Sequence, residues 1–207
     1  QESVAASLER VAGMFDAAAI RCCALKGPAL SARFYGDAAI RQAMDIDLLI
    51  SPGDFARETA VMEDLAYVRE SEATVAYLLQ HGHHLTFARQ GVPLVELHFQ
   101  AYAGFGVTLP ASAVMERAVP YRFTDRSTVL VPAPEDEFVY LALHAAGHSF
   151  ARLVWLYDLK LLLRRHPDLD WDTVAHRAQD AGVATAVSYA TTLLTEWLNM
   201  PLADVAG

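Results

Sequence analysis

The spacing of apolar residues changes near residue 132, and this change constrains the fold more than any other feature of the chain. Before it, short apolar runs such as residues 22–25 and 45–50 alternate with helical patterns. After it, apolar residues recur every three or four positions almost without interruption, which is the period of an amphipathic helix. The pattern predicts an α/β (α+β) fold, with a small mixed β-sheet and flanking helices over residues 1–132 and a C-terminal helical unit over residues 133–207.

Local signals predict the individual elements. Pro28 suits the first turn of a helix and Gly36 its end, while Gly91 suits the tight turn of a hairpin. We expect helices over residues 3–19, 28–36, 51–67, 134–147, 151–165, 170–182 and 184–199, strands over 22–25 and 45–50, and hairpins over 83–99 and 120–131.

Composition excludes two classes of partner. The formal net charge of −9 over 207 residues argues against general nucleic-acid binding, which needs a basic surface. No apolar run approaches the roughly 18–20 residues of a membrane span. The two cysteines, Cys22 and Cys23, are adjacent and therefore poor disulfide partners, so a reduced, cytoplasmic protein is expected.

Two aspartates open the strand over residues 45–50. Asp45 and Asp47 are two positions apart, so they project from the same face, and close carboxylates repel each other unless a cation lies between them. Mg²⁺ prefers oxygen ligands, and paired ions can activate an attacking oxygen and stabilise a leaving one. Glu96, on one face of the second strand of a predicted hairpin, could supply a third acid. Taken alone, such an acid pair more often marks a solvated strand edge.

Lys26 and Gly27 lie where the strand over residues 22–25 leads into a helix. A helix N-terminus attracts phosphate through its free N–H groups and its dipole. Gly27 would let the backbone approach a ligand closely, and Lys26 would supply a positive charge for a β- or γ-phosphate. The alternatives are a surface lysine and a simple turn.

These segments together carry a resemblance. In order, the chain reads LKGPAL, FYGDAAIRQAMDIDLLI, VELHF and LALHAAGHSFARLVWLYDLKLLL across residues 20–165. This order resembles the polymerase-beta-like nucleotidyltransferase superfamily and, more narrowly, a bacterial nucleotidyltransferase family. The resemblance implies that Asp45, Asp47 and Glu96 are the catalytic and metal-binding acids. It also implies two Mg²⁺ ions, an NTP (ATP is expected) as co-substrate, and a small-molecule or peptide acceptor from natural-product biosynthesis.

The glycine turn departs from the superfamily pattern, because Pro28 removes one backbone donor. Lys26 and Arg41 are expected to compensate with side-chain charge, although Arg41 could instead form an exposed salt bridge. His98 shares a strand face with Glu96, so we expect it to hydrogen-bond this acid or reach the nucleotide.

The other histidines give weaker signals. His83 and His84 either start a strand or lie in a solvated loop. His144 and His148 share a helix face at a spacing that zinc proteases use, but the glutamate base is missing. Together with Arg152 and Asp158 they are expected either to satisfy one another or to form an acceptor site.

Three functions remain open from the sequence. The first is metal-dependent transfer of a nucleotidyl group from an NTP to an acceptor oxygen. The second is a non-catalytic nucleotide-binding or interaction module that keeps the fold. The third is transfer of the γ-phosphate alone, because the same parts could serve a phosphotransferase.

Overall fold

The computed structural model describes residues 2–51, 53 and 55–200, and it divides the chain into two compact units. The first comprises Gln1–Ala101 and Pro110–Pro132, and the second comprises Tyr102–Leu109 and Ala133–Gly207. Residues 102–109 therefore belong with a part of the chain that follows them by more than twenty positions. The division into domains at residue 132 stays a prediction.

Nine strands form in the described ranges: β1 (Cys22–Ala24), β2 (Asp45–Ile50), β3 (Val68–Arg69), β4 (His84–Ala88), β5 (Leu94–His98), β6 (Gln100–Gly104), β7 (Val107–Pro110), β8 (Val119–Arg122) and β9 (Thr128–Val131). Seven of them make one mixed sheet in the order β3-β4-β5-β2-β1-β9-β8. β2 pairs with β5 in parallel and with β1 antiparallel, while β4 and β5 form an antiparallel hairpin.

The helices of the first unit are α1 (Val4–Ala17), α2 (Gly27–Tyr35), α3 (Phe55–Asp64), α4 (Glu72–His81) and α5 (Ala111–Arg117). The Ser3 hydroxyl caps α1 by accepting the N–H of Ala6 at 3.2 Å. Gly36 ends α2 in the left-handed conformation, with φ +82°. Side chains from α1 and from the central strands then pack into one apolar core, whose members include Leu8, Val11, Phe15, Ile46, Leu48, Val95 and Leu97.

β2 lies near the middle of the sheet and is covered on both faces. All five residues of Ile46–Ile50 are buried, including Asp47. A continuous apolar run is what a strand buried on both faces requires. Asp47 is the exception in this run, and it places a carboxylate inside the first unit.

The second unit contains the β6–β7 hairpin and the helices α6 (Pro134–Gly147), α7 (Leu153–Arg165), α8 (Trp171–Asp180) and α9 (Ala184–Leu198). α6 packs against the other three helices and is buried along most of its length. Arg177 of α8 forms an ion pair with Asp136 in the first turn of α6, with 3.0 Å between Nη1 and Oδ2. Helix packing around α6 therefore organises this unit.

The α/β fold class is confirmed, and every predicted helix and strand is present. The start of the helix predicted over residues 51–67 lies outside the described residues at Pro52 and Asp54; the helix that follows them is α3. β3, α4, α5 and the β6–β7 hairpin were not predicted, because they are short or weakly patterned. In the described part of the chain, every helix is too short or too polar to cross a membrane.

Candidate active site

The acid residues lie on two adjacent parallel strands. In the register of β2 and β5, Asp47 lies opposite Glu96, and Asp45 lies opposite Leu94. Paired positions of neighbouring strands place their side chains on the same face. Asp47 and Glu96 are therefore neighbours although they are 49 positions apart in the sequence.

Asp47 is only 1% exposed, and one of its oxygens carries two polar contacts. Lys26 Nζ lies 2.7 Å from Asp47 Oδ1, and His98 Nε2 lies 3.1 Å from the same atom. Asp47 Oδ2 is buried and has no hydrogen-bond partner among the described residues. Burial alone would raise the pKa of Asp47, but the charge of Lys26 and the hydrogen bond from His98 lower it far below its ordinary value. Asp47 is thus a buried carboxylate with one oxygen still available.

His98 connects Asp47 to Glu96. Its Nε2 lies 3.4 Å from Glu96 Oε2 as well as 3.1 Å from Asp47 Oδ1. Burial favours the neutral ring, but the hydrogen bonds to the two carboxylates outweigh it and raise the pKa of His98. The same hydrogen bond, which outweighs burial, lowers the pKa of Glu96. His98 therefore holds both acids in their ionised form.

Asp45 is partly exposed and lies at the outer end of β2. Burial and the negative charge of Asp47 raise the pKa of Asp45, while Lys26 opposes the shift. Groups of ligand atoms within 4.8 Å of one another form among Asp47, Glu96 and His98, but Asp45 joins no such group in the described ranges. The assignment of Asp45 as a metal ligand stays a prediction.

Lys26 and Gly27 form the junction between β1 and α2. Gly27 is the first residue of α2 and has φ +66°, and a Cβ there would lie 3.3 Å from the carbonyl oxygen of Asp45. The N–H of Leu25 donates to the backbone oxygen of Asp47 at 3.1 Å. A residue other than glycine would be strained at position 27. The backbone before α2 is thus fixed against the strand that carries the acids.

Arg41 lies in the loop that connects α2 to β2 and is buried, at 9% exposure. The backbone N–H of Arg41 donates to Ser31 Oγ at 3.0 Å, and the Ser31 hydroxyl donates to the carbonyl oxygen of Asp37 at 2.6 Å. Arg41 is therefore not an exposed residue, and a salt bridge of its side chain stays a prediction. Its predicted contact with phosphate stays a prediction.

Two further histidines lie beside His98, although the sequence indicated only a strand start or a solvated loop for them. His84 is the register partner of His98 across the β4–β5 hairpin, and the two ring centroids are 5.0 Å apart. The ring of His83 lies 4.6 Å from that of His84 and 5.5 Å from that of His98. Burial and the neighbouring charge of His98 lower the pKa of both rings, that of His83 to about 4. The predicted hairpin over residues 83–99 was the available signal that His83 and His84 could lie near His98. Which residues meet across a hairpin depends on its register, and local sequence does not specify the register.

Three of the polar residues of the second unit, His144, His148 and Arg152, surround Trp155. The rings of His144 and His148 are 4.8 Å apart, and both lie within 5.4 Å of Trp155. The guanidinium of Arg152 lies 5.9 Å from the centre of the same indole. Asp158 is fully buried. A role for these residues in an acceptor site stays a prediction.

The acid cluster has the donors that a divalent cation requires. Asp47, Glu96 and His98 each offer one ligand atom, and these atoms lie within 4.8 Å of one another. Asp47 Oδ2 is buried without a protein partner in the described part of the chain. A buried, unpaired carboxylate oxygen is costly, and a bound cation would remove that cost. These residues therefore fit a metal ion.

The chain resembles known proteins in sequence and in fold. The sequence profile of a family described as uncharacterised nucleotidyltransferase matches residues 1–199. No curated protein matches the chain in sequence. The solution structure of the antibiotic-resistance factor ANT(2'')-Ia is similar over 91% of this chain and 96% of its own, with a TM-score of 0.59 and 16% identity. A crystal structure of ANT(2'')-Ia in complex with adenylyl-2''-tobramycin is similar over 91% of this chain and 97% of its own, with a TM-score of 0.59 and 13% identity.

Proposed function

The chain belongs to the family of uncharacterised nucleotidyltransferases, and from this we propose that it transfers a nucleotidyl group from an NTP to an acceptor, with Mg²⁺ as cofactor. The observation that carries the proposal is a connected polar network. Lys26 and His98 both contact Asp47 Oδ1, and His98 also contacts Glu96. A basic residue at a helix N-terminus beside paired acids is an arrangement suited to a nucleotide triphosphate with its cations.

Asp45, Asp47 and Glu96 would hold the magnesium. When bound, Mg²⁺ neutralises phosphate charge and stabilises both the attacking and the leaving oxygen of an in-line displacement. Oxygen donors from carboxylates are the ligands that this ion prefers. The free Oδ2 of Asp47, which has no partner in the ranges described, is the atom most suited to a first contact.

Lys26, Gly27 and Arg41 would bind the triphosphate. The Lys26 ammonium already compensates the charge of Asp47 at 2.7 Å, so it lies beside the position where phosphate charge would enter. The absence of a side chain at Gly27 lets the start of α2 lie against the carbonyl oxygen of Asp45, which keeps the helix N-terminus beside the acids. Because Pro28 lacks an N–H, side-chain charge from Lys26 and Arg41 carries more of the phosphate binding than main-chain donors do.

The transfer step needs a proton acceptor. The acceptor oxygen forms a bond to the α-phosphorus, the bond from that phosphorus to the bridging oxygen breaks, and pyrophosphate leaves. The proton of the acceptor hydroxyl goes to a carboxylate, which must be ionised beforehand. Glu96 meets this condition because the hydrogen bond from His98 lowers its pKa. His98 acts as a positioning residue that fixes Glu96 and Asp47 relative to each other.

The acceptor we propose is a small molecule or a peptide, and the donor is ATP. The similar structure of ANT(2'')-Ia contains adenylyl-2''-tobramycin, an adenylylated small molecule. The net charge of −9 disfavours a nucleic-acid acceptor. A hydroxyl group on a natural product is an acceptor of the required chemistry.

The decisive experiment compares Asp47→Asn with Asp125→Asn. Both remove one carboxylate charge, but the side chain of Asp125 is fully exposed at the surface. Calorimetry with a non-hydrolysable ATP analogue should show Mg²⁺-dependent binding in the wild type and in Asp125→Asn. In Asp47→Asn, binding should fall about 100-fold or more, the scale of a lost charged ligand. Equal binding in both variants would refute the assignment.

Product analysis separates the three functions. With ATP, Mg²⁺ and a library of hydroxylated natural products, nucleotidyl transfer releases pyrophosphate, whereas phosphoryl transfer releases ADP. If ATP binds but neither pyrophosphate nor ADP forms with any acceptor of the library, the non-catalytic nucleotide-binding module is favoured. ADP as the sole product would contradict nucleotidyl transfer.

A further inference from the structure

Three histidines meet at one end of the β4–β5 hairpin. His84 starts β4 and lies opposite His98 at the end of β5, and His83 precedes β4 by one residue. One ring nitrogen from each of the three lies within 4.8 Å of those of the other two. The backbone holds this end of the hairpin together, because the carbonyl of His83 accepts the N–H groups of Phe99 and Gln100 at 3.0 and 3.2 Å.

Two of these rings direct one nitrogen to a carboxylate and leave the other nitrogen unpaired among the described residues. His98 directs Nε2 to Asp47 and Glu96, and His84 directs Nε2 to Glu96 Oε1 at 3.8 Å. The Nδ1 atoms of both rings are buried and have no hydrogen-bond partner among the described residues. His98 as a whole is only 3% exposed, so its Nδ1 is not open to bulk solvent. A buried polar atom without a partner requires an explanation such as an ion.

This pattern matches the outer contacts of metal-binding histidines. A histidine that binds a metal through one nitrogen usually donates its other N–H to a carboxylate, which fixes the tautomer and the ring orientation. In His98 and His84 the carboxylates are present, and the opposite nitrogens are the ones left unpaired. The acids thus orient two imidazoles towards a common centre.

We propose that His83, His84 and His98 form a binding site for one borderline transition-metal cation, of which Zn²⁺ is the best fit, separate from the carboxylate site. Imidazole nitrogens suit Zn²⁺, Co²⁺ and Ni²⁺, whereas carboxylate oxygens suit Mg²⁺. Zn–N distances of about 2.0–2.1 Å place ligand nitrogens roughly 3.3 Å apart in tetrahedral geometry. Rotation of the partly exposed rings of His83 and His84 can close the remaining separation.

The two sites use opposite nitrogens of His98. The cation at the three histidines takes Nδ1, and Nε2–H continues to donate to Asp47. The histidine site therefore fixes the ring that positions Asp47 and Glu96. The proposal concerns metal binding by the chain alone and does not depend on nucleotidyl transfer, so the two can fail independently.

The test measures binding to the full chain, purified without a histidine tag and stripped with a chelator. Co²⁺ is added first, because its visible absorption reports nitrogen ligation, and Zn²⁺ then competes for the site. The wild type should bind one ion per chain, and excess Mg²⁺ should not displace it. His83→Gln and His84→Gln should each weaken Zn²⁺ binding about 10–100-fold or more, at least the scale seen when an outer contact of a metal site is lost.

The control is His176→Gln. His176 lies on the exposed surface of α8, where it pairs with Asp180, and its loss should leave binding unchanged. Circular dichroism of each metal-free variant establishes that it is folded before titration. No saturable binding in the wild type would overturn the proposal. Binding that is unchanged in His83→Gln would also overturn it, because it would place the cation on Asp47, Glu96 and His98 instead.

Discussion

At the scale of single residues, Asp47 is a charge held inside the first unit by two neighbours. Removing a carboxylate from water costs several kcal/mol, and the cost is recovered only with well-placed partners. Lys26 at 2.7 Å and His98 at 3.1 Å are those partners, and both contact the same oxygen. The second oxygen is left for a ligand. A stable fold and a reactive site thus depend on the same contacts.

Lys26→Ala tests whether this lysine binds phosphate. We expect the affinity for a non-hydrolysable ATP analogue with Mg²⁺ to fall about 10-fold or more, since one charge-assisted contact is worth roughly 1.5–3 kcal/mol. Affinity for adenosine, which has no phosphate, should change much less. Lys160→Ala is the control, because Lys160 donates to the carbonyl of Leu198 in the second unit. An equal loss for both ligands would show that Lys26 does not contact phosphate.

The depressed pKa of His83 predicts a loss of stability in acid. An unfolded chain protonates this residue near pH 6.5, but the folded protein does so only near 4. Between these values the unfolded state binds more protons, so the free energy of unfolding falls as the pH falls. We expect about 1–2 kcal/mol from this residue, less than the full shift implies because the ring is partly exposed.

Urea unfolding of metal-stripped protein at pH 7 and at pH 4.5 measures this effect. His83→Gln should lose less stability over that interval than the wild type, and the exposed His176→Gln should behave as the wild type does. If His83→Gln shows the full wild-type loss, the His83 imidazole is not the source of the acid sensitivity.

At the scale of elements, the start of α2 connects the fold to the site. The helix begins at Gly27 and ends at Gly36, and both glycines have positive φ. Gly27 differs because a Cβ there would meet the carbonyl oxygen of Asp45 at 3.3 Å, while a Cβ on Gly36 would meet nothing within 4 Å. A side chain at Gly36 would therefore add backbone strain alone, whereas a side chain at Gly27 would add backbone strain and crowding against β2.

Three alanine substitutions should therefore differ in sign and size. Gly13→Ala, in the exposed interior of α1, should stabilise by about 0.5–1 kcal/mol. Gly36→Ala should cost about 1–2 kcal/mol for the left-handed backbone alone. Gly27→Ala should cost more than Gly36→Ala and should also weaken ATP binding. Thermal unfolding measures the stability of each variant. Equal losses of stability for Gly27→Ala and Gly36→Ala would show that crowding against β2 contributes nothing.

At the scale of the whole molecule, the division into two units does not follow the order of the chain. Residues 102–109 lie between parts of the first unit but belong to the second. Tyr102 packs on Gly147, whose position leaves no room for a Cβ beside the tyrosine hydroxyl, and Val107 lies near Gly182. A cut at residue 132 separates this hairpin from the helices on which it packs.

Two fragments test this arrangement. A chain of residues 1–132 should expose the apolar side of the hairpin, bind more hydrophobic dye and unfold less cooperatively. The same fragment with residues 102–109 replaced by a short Gly-Ser linker should bind less dye, since loop replacement costs little entropy. If the linker fragment binds as much dye as the first fragment, the dye is not bound by an apolar surface of residues 102–109 that the helices normally cover.

Most of the elements, and the candidate acids Asp45, Asp47 and Glu96, could be predicted from the sequence by itself. Helical periodicity and the stop at Gly36 are local signals, and local signals depend only on neighbouring residues. The pair Asp45 and Asp47 was visible for the same reason, since alternation along a strand is a fixed property of the backbone.

Only the tertiary structure decided which side chains meet. The position of β5 beside β2 is a parallel pairing over a long crossover, and its register places Asp47 against Glu96. The register of β4 and β5 places His84 against His98, and a slip of one residue would move every side chain of a strand to the other face. Such choices are made by the packing of the whole core, which no short segment contains. The sequence therefore supplied the acids, and the packing of the strands brought the three histidines to them.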